Sequence, residues 1–226
     1  MGFPTIAGKV HSSASSDSPT YQLPAGIESN DGLLLFISSR QSDMVVNDWD
    51  TFTFLGVSAS GSSASSLHVG YRAAVAGDTD VSPSLSDSAE SGAMALRIAR
   101  NSIEPFDLVP PEIAVHTPEP PPGTSHQPPV LSPSWPVDKV LWLAASSVNS
   151  TSIRFSGWPA AYTVEYANAE SFSSLAQTLS SRELQIATEQ PGPITVTGSM
   201  IVPLMTVAVL GGTGVGGGSG WGSVRF

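Results

Sequence analysis

The chain has no cysteine, which excludes disulfides, cysteine nucleophiles and thiolate metal sites. Lysine occurs only at Lys9 and Lys139, and the formal charge is −10. With no basic cluster, no nucleic-acid partner is expected. Charged residues make up only 12% of the 226 residues, while 40% are hydrophobic. Ser, Thr and Gly replace the Glu and Lys typical of disordered chains, so a folded domain is favoured. Long apolar runs are also missing. The longest, near Ile201 to Leu210, is too short to span a bilayer as a helix, and no membrane insertion is expected. Met1-Gly-Phe-Pro lacks the basic segment and apolar run of a secretory signal. Long helices are disfavoured by what is plentiful, namely 19 prolines and 21 glycines.

The most informative stretch runs from Asp31 to Ser39. An Asn-Asp-Gly turn leads into an unbroken apolar run, Leu33 to Ile37, stopped by two serines. A short apolar run bounded in this way fits a buried strand. The same grammar returns 107 residues later, from Asp138 through Leu141-Trp-Leu143 to Ser146-Ser147. Other features repeat in the same order. Trp49 answers to Trp158, Tyr71-Arg72 to Ser181-Arg182, Val81 to Leu85 to Ile194 to Thr197, and Met94 to Ile98 to Leu204 to Ala208. Small loop insertions in a duplicated unit produce such slowly rising offsets.

The fold expected is therefore all-β, an antiparallel β-sandwich with jelly-roll-like connections, built from two pseudo-repeated halves. The halves are residues 1–103 and 137–210. Between them, residues 104–136 hold eleven of the nineteen prolines and read as a stiff surface crossover with a short strand at Ile113 to Val115. Residues 211–226 form a Gly-rich tail. Pro83 demotes Val81 to Leu85 to an edge strand, and Ser58 to Ser66 reads as a loop. Leu67, Val69, Tyr71 and Ala73 alternate with His68, Gly70 and Arg72, which predicts a half-buried strand with His68 facing solvent. Phe172, Leu175, Ala176 and Leu179 are spaced like one face of a short helix, capped by Asn168 or Ser171.

Residues that carry chemistry are few. Asp48, Asp50, Asp78 and Asp80 sit in turns, where aspartate serves turn geometry more often than Ca²⁺. His11, His68, His116 and His126 lack metal-ligand spacing, and no cofactor is expected. Glu165, Glu170 and Glu183 are the acids from which a glycosidase pair would be drawn, although scattered surface acids explain them more simply. Trp158 and Tyr162 are candidates for stacking on a sugar ring. The competing reading has Trp158 plug one end of the sandwich, as Trp49 does in the first half. Trp221, Val224 and Phe226 end the Gly-rich tail. Left free they expose apolar surface, which marks them as a candidate assembly contact.

The pattern Leu-Pro-Ala-Gly-Ile (23–27), the Asp31 strand, Trp49, Tyr71-Arg72, Gly77-Asp78, the Met94 strand, Pro128-Pro129 and Leu141 to Ala145 resembles β-sandwich virion proteins of tailed bacteriophages. The resemblance covers residues 20–210. It implies a non-enzymatic structural protein on the particle surface, made in the host cytoplasm, as a tail fibre or host-attachment module. Capsid decoration is the nearer alternative, and a carbohydrate-binding module or glycan-active enzyme the more distant one. The partners it implies are other virion proteins, further copies of the chain and a host surface glycan. It carries over no functional residue.

Overall fold

The computed structural model describes residues 2–60, 65–116, 122–135, 139–171 and 174–212. Among them the chain is all-β apart from one 3-10 turn, Arg100–Ser102. The first unit contains β1 (Ile6–Ser15), β2 (Tyr21–Gln22), β3 (Gly32–Ser39), β4 (Val46–Asp48), β5 (Thr53–Ser60), β6 (Ser65–Ala73), β7 (Asp80–Val81), β8 (Ser84–Leu85) and β9 (Glu90–Ile98). The second contains β10 (Glu112–Val115), β11 (Gly123–His126), β12 (Val140–Asn149), β13 (Phe155–Gly157), β14 (Thr163–Ser171), β15 (Leu175–Leu184), β16 (Ile194–Met200) and β17 (Leu204–Leu210).

Each unit builds a five-stranded antiparallel sheet. The orders are β1-β9-β3-β6-β5 and β10-β17-β12-β15-β14. These are one plan used twice: the unit's first strand at an edge, its last strand beside it, and the apolar organising strand in the middle. Each unit also carries small outer strands, β2-β7 and β4-β8 in the first and β11-β16-β13 in the second. The difference has a local cause. Pro83 lies between β7 and β8, where it removes a ladder donor and splits the strand. Ile194–Met200 has no proline, so β16 is continuous and pairs with both β11 and β13.

The two large sheets stack face to face. β1 lies against β14 and β5 against β10. Since β10 is the counterpart of β1, and β14 of β5, the sheets meet as two copies do in a twofold dimer. Leu34, Phe36, Leu67, Val69, Met94 and Leu96 from one sheet pack against Leu141, Leu143, Leu179, Met205 and Val207 from the other. The opposite faces are covered too. Leu33, Leu35 and Ile37 lie under Tyr21, Val46, Trp49 and Leu85, while Ala144 and Ala176 lie under Phe155, Ile194 and Val196. The molecule thus has four layers, and β3 is buried along its whole length. Antiparallel strands usually alternate because one face meets water. β3 and β12 do not, because each is covered twice, and each large side chain so buried contributes about 1.5–3 kcal/mol.

The turn that launches β3 is locally determined. Asn30 takes a left-handed conformation, φ 68°, which asparagine tolerates better than most residues. Asp31 is buried, and its carboxylate accepts the backbone N–H of Glu28 at 2.9 Å and of Arg100 at 3.0 Å. Gly32 is required by packing: a Cβ there would lie 2.6 Å from the Phe106 ring.

Three expectations are corrected. Leu175, Ala176 and Leu179 are on a strand, β15, not a helix. Their helical spacing is a coincidence of burial on both faces, since Leu179 points to the inter-sheet core and Ala176 to the outer layer. Asn168 caps no helix; its side chain bonds Phe155 N and O. Phe172 lies outside the described residues. The stretch Ser58 to Ser66, read as a loop, is strand at both ends, in β5 and β6, with Ser58, Ser60, Ser65 and Ser66 buried between the layers, while residues 61–64 lie outside the described residues. Ser58 Oγ accepts the N–H of Leu204 at 3.0 Å and so ties the two sheets together. The third correction concerns His68. Residues 104–136, read as a crossover, contain β10 at the expected position and also β11.

Candidate functional site

Two concavities bring together chemically distinctive residues. The first is a polar groove of about 480 Å³ where the start of the chain meets β14 and β15. Thr5, Thr163, Glu165, Ser181, Arg182 and Glu183 contribute to its lining. Two of the three glutamates singled out by sequence therefore share this groove; the side chain of Glu170 lies outside what is described. The carboxylate of Glu165 is already engaged. One oxygen accepts Lys9 Nζ at 2.9 Å and the other accepts the Ser181 hydroxyl at 2.6 Å. Arg182 lies 3.5 Å from Glu189, which also accepts the Tyr162 hydroxyl at 3.1 Å. A glycosidase acid and base need carboxylates free to exchange a proton with substrate or water. Glu165, held from both sides, is built as a strut between the units.

Trp158 and Tyr162 are brought near each other, both half-buried and packed on the second unit's outer core. The Trp158 indole donates to Thr178 Oγ1 at 2.6 Å. Burial and the neighbouring Glu189 carboxylate push the Tyr162 phenol well above its ordinary range. Both rings thus have their polar ends engaged inside the protein. Trp49, the counterpart of Trp158, is buried in the first unit's outer core. The turn aspartates hold turns. Asp48 accepts Asp50 N, Asp50 accepts Ser82 N, and Asp78 accepts Val75 N while pairing with Arg72 at 2.8 Å. No metal-holding cluster of His, Asp and Glu occurs among the described residues. Trp221, Val224 and Phe226 lie outside them.

The second concavity was not foreseen. It is an apolar pocket of about 470 Å³ on the outer side of β5 and β6, lined by Met44, Val45, Val46, Trp49, Phe54, Val57 and His68 among others. Three of its lining residues are large hydrophobics left open to solvent: Val45 at 54%, Phe54 at 49% and Val57 at 38%. Here the His68 expectation fails. The imidazole faces the outer side of β6, as alternation requires, but that side is roofed by residues 42–49, and only 4% of His68 is exposed. Burial pulls its pKa down to about 4 against a hydrogen bond to the Met44 backbone that works the other way. Its Nε2 is buried and has no partner among the described residues. The signal for this pocket is weak: alternation in Thr51 to Leu55 puts Phe52 and Phe54 on one apolar-looking face, and nothing in it separates the buried Phe52 from Phe54, which stays open to solvent.

Comparison with protein-family models, curated proteins and solved structures finds no match to the chain. The fold alone defines its class, an all-β protein of stacked antiparallel sheets.

Proposed function

We propose that this chain is a non-enzymatic structural protein of a tailed-bacteriophage virion, displayed on the particle surface as a tail fibre or host-attachment module. The observation that carries this reading is the duplicated antiparallel unit packed through a shared apolar interior, together with the strand motifs that resemble such virion proteins. Two supports are chemical. Of the two acids at the polar groove, Glu165 is tied into the fold by Lys9 and Ser181. The charge of −10 suits a solvated surface component rather than one that contacts packaged nucleic acid. Its partners are other virion proteins and further copies of itself, with a host surface glycan as the receptor chemistry.

The test is to raise antibodies to the purified protein, probe purified particles by mass spectrometry, and label them for electron microscopy. Labelling at the tail supports the proposal. Labelling spread over the capsid faces replaces the tail placement with capsid decoration. Absence from purified particles rejects a virion role altogether.

A further inference from the structure

The apolar pocket beside His68 is incomplete in a chemically specific way. Its walls are Met44, Val46, Trp49, Phe54, Val57 and Ala59, a surface suited to a flat apolar ring. Its volume, about 470 Å³, lies within the range of about 300–1,000 Å³ that holds small ligands. In this lining, one ring nitrogen lacks a partner. The His68 imidazole bonds the Met44 backbone and Nε2 is the nitrogen left over. Nδ1 is then the nitrogen that donates to the Met44 carbonyl, and a neutral imidazole carrying its proton there has a bare lone pair at Nε2. The missing group is a hydrogen-bond donor on an apolar ring. Among side chains, indole fits best: it is large and apolar, and its one polar atom is a donor only.

The chain has five tryptophans. Trp49, Trp135, Trp142 and Trp158 are packed within the described fold. The fifth, Trp221, belongs to residues 213–226, which follow the last described residue. Near it, Arg225 is complementary in charge to the exposed Asp43 beside the pocket.

Reach distinguishes the chain's own tail from a neighbour's. Gly212 is fixed by donating its N–H to Ser102 O at 3.1 Å, near the end of the sheets where Gly32 packs on Ile103 and Phe106. His68 pairs with Ile37, five residues further along β3. That is about 17 Å of strand, with about 10 Å more to cross between layers, before any detour round the β5 edge. Eight residues lie between Gly212 and Trp221, and the nine peptide steps that join them reach at most about 30 Å. Delivery to its own pocket requires nearly full extension, whereas delivery to an adjacent molecule carries no such constraint.

We propose that this pocket is the receptor for the C-terminal segment of a second copy of the chain, with Trp221 entering beside His68 and donating its indole N–H to Nε2. The inference does not depend on the virion reading and names a self-association contact that any setting would use.

Full-length variants test it by sedimentation velocity. The wild type should associate reversibly. Val45→Glu, at an exposed position, and Trp221→Ala should each weaken association at least tenfold while leaving the thermal melt unchanged. Phe54→Ser provides the same test should Val45→Glu perturb the fold. An equimolar mixture of Val45→Glu and Trp221→Ala should regain a single heterodimeric contact, because one partner keeps its tail and the other its pocket. A wild type that stays monomeric, pocket variants that associate like wild type, or a mixture that regains nothing would each overturn the proposal. The last result would place the tail on its own molecule.

Discussion

Replacing His68 by glutamine should remove a pH-dependent part of the stability of this protein. The imidazole is buried under residues 42–49, and its pKa falls from 6.5 to about 4 in the folded chain. At pH 8 it is neutral whether the chain is folded or not. Below pH 6.5 the unfolded chain takes up a proton that the folded chain refuses until about pH 4. Stability is therefore fully present above 6.5 and is lost progressively as pH falls towards 4. The gap corresponds to about 3 kcal/mol when fully developed, of which about 2 kcal/mol is lost by pH 5. His11 and His126 are also lowered by burial and contribute to the same experiment. The quantity to measure is thus the difference between wild type and His68→Gln, from urea unfolding at pH 8 and pH 5. Glutamine has a similar size and can keep the bond to Met44, so the variant isolates the titration. The wild type should lose about 2 kcal/mol relative to the variant between the two pH values. A difference constant to about 0.5 kcal/mol would show that the imidazole is not held neutral in an enclosed site.

Other residues give sharper or smaller effects. Gly70→Ala places a Cβ 2.6 Å from the Trp49 ring, and because that ring is itself packed the cost should be about 1–3 kcal/mol, read from the thermal melt. Tyr21→Phe removes the buried 2.6 Å bond to Ser91 and leaves that serine weakly satisfied, for a loss of about 1–2 kcal/mol. Lys9→Ala breaks the pair with Glu165, but Lys9 is 43% exposed; the loss should stay below about 1 kcal/mol and shrink further in high salt.

The sequence was most legible where burial is complete. The runs at Leu33 and Val140 could be recognised as strands, and as copies of each other, because a strand covered on both faces has no polar alternation to obscure it. The repeat then predicted the equivalence of the two sheets. Legibility failed where a residue's chemistry and its position disagree. Ser58, Ser60, Ser65 and Ser66 look like a loop by composition, yet they are strand residues small enough to sit between layers, with Ser58 bonded to the opposite sheet. His68 follows its alternation correctly; only the roof of residues 42–49, invisible to periodicity, makes the outward face a buried one. Leu175, Ala176 and Leu179 satisfy a helical period because both faces of β15 are filled. The apolar pocket was hidden for the same reason, since its walls come from β4, β5 and β6 and from a loop with no signature of its own.

That the two units share one interior is tested most directly by native-state hydrogen exchange across a denaturant series. The amides of Leu33 to Ile37 and of Leu141 to Ala145 lie in the central strands of the two stacked sheets. They should exchange only through one global opening, with the same free energy and the same denaturant dependence. If either set opens at a distinctly lower free energy while the other stays protected, the units fold independently, and a single four-layered body is the wrong description.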